Sequence, residues 1–182
     1  MRIVCKLVVV LFLGITNGYA VEKISWEYEK LPSEVIFNLP HEVAVYMSSS
    51  KEGKPFIVDS SINPMYLRAD IDGNGKCEYV VLIKSIEDDI RGVLIYFSPK
   101  KTAVLFAGVR PVKKIGSKET YINALPSGVD MWSVHLDKVD IPDYVMPMPA
   151  PKGEMIMFGK SESWMSMFYW DGSEYIFYSL GG

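Results

Sequence analysis

The chain has 182 residues, with 19 Lys and Arg against 22 Asp and Glu and an apolar content of 49%. That length and apolar content suit one domain with a packed core and exclude wholesale disorder. A formal charge of −3 argues against a nucleic-acid binder, which needs a basic surface to meet phosphates.

Met1–Ala20 reads as a signal peptide. Arg2 and Lys6 make a basic start, Leu7–Ile15 is uncharged and mostly aliphatic, and Gly18-Tyr19-Ala20 sets small residues where a signal peptidase cuts. The apolar run is well short of the roughly 20 residues of a membrane-spanning helix. Cys5 precedes that run, whereas a lipid-anchored Cys would follow it. The expected product is therefore a single exported domain, residues 21–182, in the periplasm or secreted. Its longest stretch without charge is Thr120–Val129, too short to cross a bilayer, so no membrane span is expected after signal removal. Cys77 is then the one remaining cysteine, and no internal disulfide can form.

Pro32-Ser33-Glu34 followed by Val35-Ile36-Phe37 predicts a short N-terminal helix that Pro40 ends. His41–Met47 is ambiguous: Val43, Val45 and Met47 alternate as in a strand, while the flanks allow a helix. Phe56–Val58 is a short strand candidate after the polar Ser48–Lys54. Met65–Arg68, Glu78–Lys84, Gly92–Ser98 and Thr102–Ala107 are β-rich runs joined by short polar turns, which predicts an antiparallel meander. Tyr79, Val81 and Ile83 lie on one face of the second run and Val80 and Leu82 on the other, so both faces should be covered, by a second sheet or by the helix.

Further on, Arg110–Lys118 carries clustered basic residues and reads as a solvated loop. Trp132–Leu136 is a strand, the proline-rich Pro142–Pro151 an extended connector, and Glu154–Gly159 and Met165–Tyr178 return to strand character. Asp171-Gly172 supplies the turn of a C-terminal hairpin. If the chain turns there, Phe168 faces Tyr175, with Trp164, Trp170 and Phe177 on the same side. Such a face either stacks on sugar rings or partners, or packs into the core, the commoner fate of aromatics. The fold class is thus mainly β (α+β), a meander with a C-terminal hairpin and a minor N-terminal helix.

One segment carries recognisable chemistry. In Asp70-Ile71-Asp72-Gly73-Asn74-Gly75-Lys76-Cys77-Glu78, oxygen-bearing side chains recur at alternate positions around two glycines. Calcium takes six to eight oxygens, and alternate residues of a tight loop can aim theirs at one centre. Asp70, Asp72 and Asn74 would give side-chain oxygens, Lys76 its carbonyl, and Glu78 the closing carboxylate. The first six positions match an EF-hand loop, but Val81 stands where its bidentate Glu belongs, and the residues that follow are strand-like. The segment more closely resembles the calcium loops of FG-GAP and VCBS-type repeats, where Asp-x-Asp-Gly-Asp-Gly-x-x-Asp leads into a Val/Leu-rich strand. Asn74 and Glu78 replace two of that pattern's aspartates and remain oxygen donors. The resemblance spans Leu67–Val81 and occurs once, so it implies a structural calcium and no propeller. As a whole the chain resembles small exported bacterial proteins of unassigned activity that carry one such loop and a terminal Trp-Asp-Gly hairpin. An ion-free Asx-rich turn is the alternative.

Other candidates are weaker. His41 and His135 lack the spacing of a zinc pair, no Gly-x-Ser-x-Gly elbow occurs, and Cys77 sits inside the loop. Glu87-Asp88-Asp89 could offer paired carboxylates but falls in a predicted turn. The expectation is an exported, non-catalytic calcium-binding protein that engages a protein or glycan of the cell envelope. The competing expectations are a hydrolase of envelope polymers and a purely structural envelope component.

Overall fold

In the computed structural model, which describes residues 38–115, 120–136 and 148–180, the meander is the centre of the fold. Strands β2 (Tyr66–Ala69), β3 (Glu78–Ser85), β4 (Arg91–Ser98) and β5 (Lys101–Phe106) pair antiparallel in chain order. Strand β1 (Phe56–Val58) lies on the same edge of β3 as β2, against its Ile83–Ser85 end. The remaining strands are β6 (Val112–Ile115), β7 (Tyr121–Ile122), β8 (Met131–His135), β9 (Met155–Lys160), β10 (Trp164–Trp170) and β11 (Tyr175–Ser179). They form a second sheet in the order β7-β6-β11-β10-β9-β8. The fold is mainly β with one short helix, α1 (His41–Ser49), among the described residues.

The two apolar faces of β3 have different covers. Val80 and Leu82 join Val93, Ile95 and Leu105 against Ile156, Phe158, Phe168 and Phe177 of the second sheet, forming the main core. Val81 and Ile83 pack with Val43, Ala44, Tyr46 and Met47 of α1. Sheet and helix each bury one side of the same strand, which is why that strand is apolar throughout.

The sequence left His41–Met47 open between strand and helix, and tertiary packing resolves it. Pro40 sits at the start of α1, and its carbonyl accepts the N–H groups of Val43 and Ala44. Proline has no N–H to lose at a helix start. The buried Val43, Ala44, Tyr46 and Met47 then share a helical face. The helix predicted over residues 32–37 and the signal peptide lie outside the described residues, as does most of the Pro142–Pro151 connector.

Two expectations need correction. Within Arg110–Lys118, Val112–Ile115 is a strand, not a loop, and pairs parallel with β11. Val112 enters the core, while the Lys113 ammonium pairs with Glu174 across the sheet. The C-terminal hairpin also turns through Asp171–Glu174, so Phe168 pairs with Phe177 and Trp170 with Tyr175. The Asp171 carboxylate accepts the N–H groups of Ser173 and Glu174, which holds the longer turn. The shift is even, so the same rings stay on the inner face.

The crossing between sheets is anchored by Phe106. Phe106, Ala107 and Gly108 all have positive φ, which costs Phe106 and Ala107 roughly 1–2 kcal/mol each and Gly108 nothing comparable. The fully buried Phe106 ring packs 5.8 Å from Phe168 and 5.9 Å from Phe177. Burying such a ring contributes about 1.5–3 kcal/mol, enough to offset much of that strain.

A buried ion pair ties the far end together. Asp59 is 4% exposed and pairs with Arg91 on β4, whose guanidinium also donates to the Val129 carbonyl and to Ser61 Oγ. Burial pushes the Asp59 carboxyl up, but hydrogen bonds from Ser61 and the Arg91 charge outweigh it and hold the group below its usual range.

Candidate metal centre

The loop between β2 and β3 is shaped by its own carboxylates. The two oxygens of Asp70 accept the N–H groups of Asn74 (2.9 Å) and Gly75 (2.8 Å), curling the chain back on itself. Asn74 Oδ1 accepts the Lys76 N–H at 2.9 Å. Gly73 and Gly75 take positive φ, as this curl requires. Ile71 points the other way into the core and is fully buried, which pins the loop to the sheet.

Three carboxylates converge there. Oxygens of Asp70, Asp72 and Glu78 lie within 4.8 Å of one another. Glu78, the first residue of β3, is 5% exposed, and its Oε2 accepts the Ile71 N–H at 2.9 Å. Burial, followed by the charges of Asp72 and Asp70, raises its carboxyl pKa despite that hydrogen bond. Asp72 Oδ2 accepts Lys101 Nζ from the start of β5 at 3.0 Å. Asp72 Oδ1 is buried and has no hydrogen-bond partner.

Residues far along the chain complete the setting. The Asp70 N–H donates to Glu154 Oε2 at 2.8 Å, and the Glu154 N–H donates to the Asp70 carbonyl at 2.7 Å. This exchange docks the loop onto the segment that leads into β9. Gly73 and Gly153 meet at the seam: a Cβ on Gly73 would sit 2.1 Å from the Lys152 carbonyl oxygen, and one on Gly153 would sit 2.0 Å from that of Asp70. The loop is therefore wedged between the sheets. Tyr175 also feels it; burial pushes its hydroxyl pKa up to about 12, with Arg110 opposing and the charges of Asp72 and Glu78 adding.

Of the five residues read as ligands, Asp70, Asp72 and Glu78 are brought together. The Asn74 side-chain oxygen accepts the Lys76 N–H instead. Glu154 and Lys101 were missed, because nothing in their local sequence marks them and only the packing of β9 and β5 brings them near. The donor set is all hard oxygen, and one desolvated carboxylate oxygen has no proton donor. Both features suit a hard divalent cation.

The five rings read as a partner or glycan face lie on the inner side of the second sheet. Phe168 and Phe177 are in the core, while Trp164, Trp170 and Tyr175 are partly buried against it. Tyr175 stacks on Phe168 at 5.5 Å and contacts Trp170 at 4.8 Å. His41 is exposed on α1, and Cys77 is exposed in the loop. Glu87, Asp88 and Asp89 are exposed in a turn, with Asp89 paired to Lys84 at 2.7 Å. No described helix is long and apolar enough to cross a membrane. No family model, curated protein or solved structure matches the chain.

Proposed function

We propose that this is an exported, non-catalytic binding protein whose Asp70–Glu78 loop holds a structural calcium ion. The observation that carries the reading is the convergence of Asp70, Asp72 and Glu78, with one Asp72 oxygen buried and unpartnered. A buried carboxylate oxygen without a partner is costly, and three clustered carboxylates repel one another. A calcium ion removes both penalties at once. Calcium fits better than magnesium because it accepts many oxygens in flexible geometry, which a glycine-bearing loop can supply.

The role follows from position. The loop joins β2 to β3 and exchanges hydrogen bonds with Glu154, just before β9 of the second sheet. Neutralising it strengthens the seam between the loop and the segment leading into β9, which supports a clamp. Extracellular modules bind calcium at about 10⁻⁴–10⁻³ M, and free ion at ten times the dissociation constant adds roughly 1.4 kcal/mol to stability. Calorimetric titration of calcium into chelator-treated protein tests this. Saturable binding that raises the melting temperature, and that is lost in Asp72→Ala, is the expected result. Equal melting temperatures with and without calcium would refute the clamp.

A further inference from the structure

The inner face of the second sheet changes character along its length. Positions 164, 166, 168 and 170 of β10, 175, 177 and 179 of β11, and 112 and 114 of β6 share that face, by alternation and by the pairing of Phe168 with Phe177 and Phe177 with Lys114. At one end it carries Trp170, Tyr175, Phe168 and Val112, as a core should. At the other it carries Ser166, Ser179 and Lys114, and an open cleft of about 440 Å³ replaces the core. Ser163, Trp164, Pro126 and Phe177 also line it.

This is a local departure from the apolar pattern that core-facing strand positions follow. Ser166 is 2% exposed and sits directly across from the partly buried Ser179, so two hydroxyls occupy paired positions on the inner face beside the cleft. Rule-breaking confined to one concave place points to function. The volume lies within the roughly 300–1,000 Å³ range of small-ligand sites.

We propose that this cleft binds a pyranose unit of a saccharide. Serine hydroxyls both donate and accept, and an indole offers a flat apolar face. A sugar ring presents the complement, with hydroxyls around its edge and C–H groups on its faces. A wholly apolar ligand would strand the hydroxyls, and a nucleotide's phosphates call for more positive charge than one lysine brings. The proposal gives the binding protein of the preceding section a ligand class; it rests on that reading of a binder and is independent of the calcium loop.

The test is an NMR titration of the full exported protein with glucose, N-acetylglucosamine and glucuronate. The Trp164 indole N–H resonance is assigned by its loss in Trp164→Phe. At least one sugar is expected to shift that resonance saturably, and Ser179→Val is expected to weaken binding about tenfold, as for a lost hydrogen bond to a stranded partner. Ser179 is only partly buried, and an unchanged melting curve shows that its variant folds; Ser163→Ala, at another lining residue, is the second variant. Failure of all three sugars to shift the Trp164 resonance overturns the proposal. So does sugar binding that neither variant changes, or inorganic phosphate producing the same shift and displacing the sugar. Asp72→Ala is expected to keep sugar binding while losing calcium, which separates the two proposals.

Discussion

Three glycines near the loop separate backbone strain from crowding, and alanine at each should have a distinct effect. Gly75 has φ of +85° with nothing within 4 Å of an added Cβ, so Gly75→Ala carries only the left-handed penalty of about 1–2 kcal/mol. Gly153 has no positive φ, but its Cβ would fall 2.0 Å from the Asp70 carbonyl oxygen and 2.7 Å from the Gly73 nitrogen. Both neighbours are backbone and cannot rotate aside, so Gly153→Ala must push the loop off the second sheet, at about 1–3 kcal/mol. Gly73 combines a φ of +72° with a contact of 2.1 Å, giving about 2–5 kcal/mol for Gly73→Ala. For a chain of this size each kcal/mol moves the melting temperature by about 2–4 °C. Thermal and urea melts of the three variants without calcium should rank Gly73→Ala worst. Gly153→Ala should also weaken calcium binding, because it displaces Asp70. A Gly153→Ala protein melting within about 1 °C of the parent would refute the tight seam and the clamp argument built on it.

Other outcomes follow from the same structure. Arg91→Met leaves Asp59 buried without its counter-charge and should destabilise by about 3 kcal/mol, whereas Arg91→Met with Asp59→Leu should recover part of that loss; urea denaturation measures both. Asp59 is held below its ordinary value of 3.8. Its stabilisation is therefore present above that pH and is lost as pH falls through the lower folded value. An acid melting series should show this limb, and Arg91→Met should move it to higher pH. Lys101 already supplies a positive charge to Asp72 Oδ2. Removing it in Lys101→Met should tighten calcium binding by up to about fivefold in calorimetry, the scale of an exposed ion pair.

What could be read before folding was what local pattern dictates. The alternation and two-faced apolarity of Glu78–Lys84 foretold a strand covered on both sides, and Val80 and Val81 do face different layers. The acidic glycine loop was legible because its curl is made by Asp70 and Asn74 bonding to their own neighbours. Contacts between distant segments were not legible. Val112–Ile115 looks like a solvated basic stretch until β11 offers a partner and Glu174 a counter-charge for Lys113. His41–Met47 is helical because the face of the first sheet rewards that spacing, which alternation alone cannot reveal. Glu154, Lys101 and the hydroxyl-lined cleft exist only through long-range pairing. Short-range sequence decides which backbone shapes are cheap, and burial against a particular neighbour decides which of them is kept.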